Sequence, residues 1–102
     1  NYGTITAQGL VNILESSSVR MNYVLRGVGT WDRAYVEEKL ALSPVLIAYN
    51  ETEVNGFHLN VIHSLNPTTT ADVNVMDPNR GRYRTRSHTR FNTRDYILAW
   101  AK

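Results

Sequence analysis

The period of the apolar positions changes several times along the chain, and each change marks an element. Ala7, Leu10, Val11 and Leu14 recur at the i, i+3, i+4, i+7 spacing of a helix stripe, with Thr4 as the cap candidate. Gly9 weakens that helix and Ser16-Ser17-Ser18 ends it. Val19, Met21, Tyr23 and Leu25 then alternate with Arg20, Asn22 and Val24, the period of a half-buried strand. After Gly27-Val28-Gly29 turns the chain, Thr30 is a second cap candidate, and Asp32 falls in the first turn, where the helix dipole favours a carboxylate. That helix carries Trp31, Ala34, Tyr35, Val36 and Leu40 inward and stops before Pro44, because a residue preceding proline is pushed out of the helical region.

Val45-Leu46-Ile47-Ala48-Tyr49 is apolar on both faces and predicts a central strand covered on both sides. A polar loop, Glu51 to Asn55, leads to Gly56-Phe57-His58-Leu59-Asn60-Val61-Ile62-His63, and Asn66 to Thr70 connects this strand to Asp72-Val73-Asn74-Val75-Met76-Asp77. Pro78-Asn79-Arg80-Gly81 is turn chemistry. From Arg82 to Phe91 arginines occupy even positions and Tyr83, Thr85 and Phe91 odd ones, and Thr93 caps an expected final helix from Asp95 to Trp100. The order predicts an α+β fold, a mainly antiparallel sheet with flanking helices, in one domain spanning residues 1–102.

Composition narrows the function classes. An apolar share of 42% with 20% charged residues is that of a soluble globular domain, and no apolar run approaches the ~20 residues that span a bilayer. No basic-then-apolar signal pattern opens the chain, and its start at Asn1 without methionine reads as a cut-down or processed piece. With no cysteine there is neither a disulfide nor a thiolate zinc site, and no cofactor motif is present. The net charge of +2 hides an asymmetry: Arg80, Arg82, Arg84, Arg86, Arg90 and Arg94 make the C-terminal third basic, while Glu37, Glu38, Glu51 and Glu53 lie earlier.

The candidate chemistry sits on the two strands either side of the Asn66 to Thr70 loop. In an antiparallel pair His58, at the start of the first, and Asp77, at the end of the second, lie at the same end of the ladder. An imidazole beside a carboxylate is the base and orienter of a nucleophilic site, because the carboxylate fixes the ring tautomer and stabilises the imidazolium. Aligning Leu59 and Val61 with Val73 and Val75 on one face would set His58 and Asp77 on opposite faces; a one-residue shift or a bulge brings them together. His63 and His88 read as surface residues that give no metal spacing with Asp72.

The run Leu40-Ala41-Leu42-Ser43-Pro44-Val45-Leu46-Ile47, the strand opened by Gly56-Phe57-His58, and Val73-Asn74-Val75-Met76-Asp77-Pro78-Asn79-Arg80-Gly81 together resemble the C-terminal part of a papain-like cysteine peptidase. The nearest branches are the bacteriocin-leader peptidases and the papain-fold bacterial toxins, and the match covers roughly Val36 to Tyr83. The resemblance implies the sheet-bearing half of a papain-like fold, His58 as general base, Asp77 as its orienter, and a peptide or protein substrate. It also implies a bacterial toxin or effector domain, secreted or delivered, with an inhibitory or immunity protein as a further partner. The chain departs from the family in lacking the nucleophilic Cys, and Gln8 is followed by no Cys or Ser at the family's spacing. The nucleophile is then supplied by an N-terminal segment or another chain, or the protein is a non-catalytic descendant. A domain cut in this way is expected to self-associate through an apolar patch lined by Trp31, Tyr49 and Trp100. Two other classes stay open. One is a non-catalytic protein-binding module on a peptidase-like fold. The other is a basic nucleic-acid-binding domain in which the arginines track phosphates and Tyr83 and Phe91 stack bases, though no nucleic-acid motif accompanies them.

Overall fold

A computed structural model describes residues 4–16, 21–51, 56–68, 70–77 and 81–102. Val19, Arg20, Glu53, Thr69, Pro78, Asn79, Arg80 and the serines at 17 and 18 lie outside the described residues, as does most of the expected loop from Glu51 to Asn55. The fold is α+β, an antiparallel sheet flanked by helices.

The meander expected from the sequence forms its centre. Strands β3 (Val45–Glu51), β4 (Gly56–Leu65), β5 (Val73–Asp77) and β6 (Arg82–Arg86) follow one another side by side. Beyond β3 lie β7 (Tyr96–Ala101) and then β2 (Met21–Arg26), giving the order β2-β7-β3-β4-β5-β6. A two-residue strand, β1 (Thr4–Ile5), pairs with the start of β4, setting Thr4 opposite His58. Gly81 takes a positive φ of 63°, which only glycine adopts without strain, at the turn into β6.

β3 is covered on both faces, as its apolar run predicts. Val45, Ile47 and Tyr49 join Tyr96, Leu98 and Trp100 of β7, Ile62 of β4, and Val73 and Val75 of β5 in the main core. Helix α2 (Arg33–Leu40) seals this side with Val36, and the short helix α3 (Thr89–Asn92) seals it with Phe91, each at most 1% exposed. On the other face Ala48, Ile97 and Ala99 pack under Leu10 and Leu14 of helix α1 (Ala7–Glu15), with Phe57 and Leu59 at the margin.

Several local expectations are corrected. The final element is a strand, β7, and not a helix from Asp95 to Trp100. Tyr96 to Trp100 are all buried because β7 lies between β2 and β3 with both faces covered, and such an unbroken apolar run carries no period to tell strand from helix. Phe91 belongs to α3, not to a strand running on from Arg82. The caps move by two residues each. Thr6 Oγ1, not Thr4, accepts from Gly9 N at 3.0 Å, and Asp32, not Thr30, accepts from Tyr35 N at 3.3 Å. Thr30 instead donates to Gly27 O at 2.6 Å and lies 3.2 Å from the Tyr96 hydroxyl. Ala34 faces solvent rather than inward. The residues expected to line an exposed apolar patch are largely covered: Tyr49 is 0% and Trp100 8% exposed, and Trp31 packs against the core.

Candidate functional site

The register between β4 and β5 decides whether His58 can meet Asp77. Val61 pairs with Met76 and Ile62 with Val75, then the ladder slips so that Ser64 pairs with Asn74 and Leu65 with Val73. The in-phase alignment of Leu59 and Val61 with Val73 and Val75 is therefore not adopted. His63 is the extra residue of a bulge, and it stays exposed. On the His58 side of the bulge, even positions of β4 share a face with odd positions of β5. Ile62 and Val75 thereby meet in the core, and His58 and Asp77 come to the same side. Leu59 and Phe57 pass to the opposite face, where they border the cluster under α1.

The two side chains touch. His58 Nε2 lies 3.1 Å from Asp77 Oδ2, with the imidazole 19% and the carboxylate 7% exposed. The Tyr49 ring meets the imidazole edge-on at 5.7 Å and 66°, held in turn by Phe91 at 5.0 Å and 73°. The ring is thus fixed by a carboxylate on one nitrogen and an aromatic wall on one side. Two residues along the same face, Asn60 is 1% exposed; its Nδ2 donates to Leu59 O at 2.7 Å, and its Oδ1 has no hydrogen-bond partner among the described residues.

The arginines of β6 extend this face. Arg82 pairs with Asp77, Arg84 with Val75 and Arg86 with Val73, so all three point to the side that carries Asp77. They are not uniformly exposed: Arg82 is open, while Arg84 and Arg86 are half-buried. Arg90 Nε donates to the Tyr49 hydroxyl at 3.3 Å, and the Arg90 and Arg94 guanidinium carbons lie 5.8 and 5.9 Å from the Tyr49 ring centre. Burial, then repulsion from Arg90 and Arg84, holds the Arg86 pKa below the usual arginine value, against the opposing pull of Tyr49 and Asp77.

A second histidine and carboxylate pair lies at the far end of the same hairpin. His88 Nδ1 is 2.8 Å from Asp72 Oδ2, and His88 N donates to Asp72 Oδ1 at 2.9 Å. The ring stacks on Trp31 at 6.1 Å and 19°. His88 is half-buried at the N-cap of α3 and not on the open surface where the sequence reading placed it. The signal was present in the hairpin: if Asp77 pairs with Arg82 and Val73 with Arg86, the positions just outside that ladder are Asp72 and Ser87, which brings His88, the next residue, near Asp72. Its role reads as structural, since the backbone amide and the ring are both tied to one carboxylate that pins α3 against β5.

No group of histidine, cysteine or acidic side chains with metal-binding geometry occurs among the described residues, and no described helix is long and apolar enough to cross a membrane. At the His58 end of the sheet, but on its other face, Leu25, Arg26, Gly27, Phe57, Asp95, Tyr96 and Ile97 line an apolar groove of about 330 Å³. Comparison with family models, with curated proteins and with solved structures finds no match for this chain.

Proposed function

We propose that the chain supplies the general base and orienting carboxylate of a papain-like cysteine peptidase of bacterial type, a toxin or effector domain, whose thiol comes from outside these residues. The carrying observation is the His58 Nε2 to Asp77 Oδ2 contact of 3.1 Å on a half-buried face. Asp77 accepts the Nε2 proton, so Nδ1 is the basic nitrogen. It takes the proton of the incoming thiol, and the thiolate attacks the peptide carbonyl. The imidazolium, stabilised by Asp77, returns that proton to the departing amine as the thioester forms. Water, deprotonated by the same nitrogen, then releases the acid and regenerates the thiol. The pair at Asp72 and His88 fits this role less well, because its carboxylate also holds a helix-terminal amide and its ring lies flat on Trp31.

The test is made on the chain assembled with a Cys-bearing segment or partner. There His58→Ala should lower kcat for peptide hydrolysis by about a thousandfold, within the range a positioned base contributes. Hydrolysis undiminished by His58→Ala would remove the reading. The chain alone, which contains no cysteine, should hydrolyse no peptide.

A further inference from the structure

The basic side chains of β6 are more than a solvated edge. Arg82, Arg84 and Arg86 project from the terminal strand of the sheet order onto the face that carries His58 and Asp77. Arg86 Nε is buried with no hydrogen-bond partner among the described residues, a guanidinium donor left unspent beside a polar site. The buried acids nearby are already engaged, Asp77 with His58 and Asp72 with His88.

We propose that Arg84 and Arg86, with Arg82 at the rim, form a subsite for a carboxylate of the bound peptide, either an acidic side chain or a terminal carboxylate. The guanidinium fork matches a carboxylate bidentately, and an anion there would satisfy the buried Nε–H. It would also relieve the repulsion that Arg90 and Arg84 exert on Arg86. Identifying the ligand as a peptide rests on the peptidase reading above; the carboxylate recognition does not.

A nucleic-acid strand would use the same guanidinium groups, but it also needs aromatic faces on which bases stack. Here Tyr83 pairs with Met76 and points to the opposite face, and Phe91 is fully buried against Tyr49, so both aromatics expected to serve that role are out of reach of the arginines. The face therefore favours a short acidic segment over a nucleotide chain.

The test is direct binding to the 102-residue chain, read from the arginine Nε–H resonances of a nitrogen-labelled sample. The probes are three acetylated peptides: one with a central Glu ending in an amide, one with Gln in its place ending in an amide, and the Gln peptide ending in a free carboxylate. The Glu peptide or the free-acid peptide should bind about tenfold tighter than the Gln amide, and whichever of the two gains identifies the source of the carboxylate. The gain should shrink with added salt. It should be lost in Arg84→Gln and Arg86→Gln, and kept in Arg33→Gln, where the replaced arginine pairs with Glu37 on α2. Arg84→Gln decides the matter if Arg86→Gln unfolds. Equal affinity for all three peptides, tighter binding of a single-stranded oligo-dT, or equal loss in Arg33→Gln would overturn the subsite. Because no hydrolysis is measured, discrimination by charge can survive even if His58→Ala leaves the assembled peptidase untouched, in which case only the peptidase reading falls.

Discussion

Two acids, Asp72 and Asp77, each hold a histidine, but by different ring nitrogens, and that difference separates their roles. Asp77 meets Nε2 of His58, whereas Asp72 meets Nδ1 of His88. Since an ionised carboxylate only accepts, each neutral ring must carry its proton on the nitrogen facing the acid. Nitrogen chemical shifts should therefore report opposite tautomers, Nε2–H for His58 and Nδ1–H for His88. A common tautomer for both rings would contradict the geometry. Asp77→Ala should return His58 alone to a mixture. Asp72 accepts from both the ring and the backbone amide of His88 and is only 5% exposed. Bonds to a charged acceptor contribute more than neutral ones, so Asp72→Ala should cost about 2 to 3 kcal/mol in urea unfolding. A loss below a few tenths would mean that water replaces the carboxylate without penalty.

At the scale of elements, the position of β7 in the sheet matters most. Leu98 of β7 is 2% exposed in the main core, and Leu25 of β2, its neighbour strand, is 64% exposed. Leu98→Ala should destabilise by about 2 to 5 kcal/mol through lost burial and a cavity, and Leu25→Ala by no more than about 0.5 kcal/mol. Similar midpoints for the two variants in chemical denaturation would argue that β7 is not central. What could be read in the sequence follows the same logic. Segments with a clear period or a hard boundary were legible: the α1 stripe, the α2 helix ending before Pro44, the β3 run and the meander through β6. The segment from Tyr96 to Trp100 was not, because a strand buried on both faces has no polar side to set a period. The His58 and Asp77 contact was legible as a shared end of a ladder. Its face was not, since it depends on a bulge at His63 that neither composition nor alternation marks.

Across the whole molecule, the closed core changes what the missing nucleophile implies. The Cα radius of gyration is 12.8 Å, close to the ~13 Å expected of a compact domain near a hundred residues. The aromatic residues that an incomplete core would leave bare are instead packed against one another, with Tyr35 edge-on to Trp100 at 5.8 Å and Trp31 stacked on Phe91 at 5.9 Å. Among the described residues the large exposed apolar side chains, Ile13, Leu25, Val28, Leu42 and Tyr83, lie on different elements and turns. Dispersed apolar side chains of this kind are ordinary on a monomer, whereas association requires a contiguous patch. The chain should therefore sediment as a monomer whose coefficient does not change with concentration, against the self-association expected of a domain cut through its core. A Cys-bearing partner would then have to bind a finished surface rather than complete an unfinished one. That predicts a complex weakened by added salt where it covers the arginine face, and a chain that still unfolds in one cooperative transition when the partner is removed by dilution, having lost only the stability that binding added. Concentration-dependent sedimentation of the chain alone would show instead that the scattered apolar residues act together as an interface.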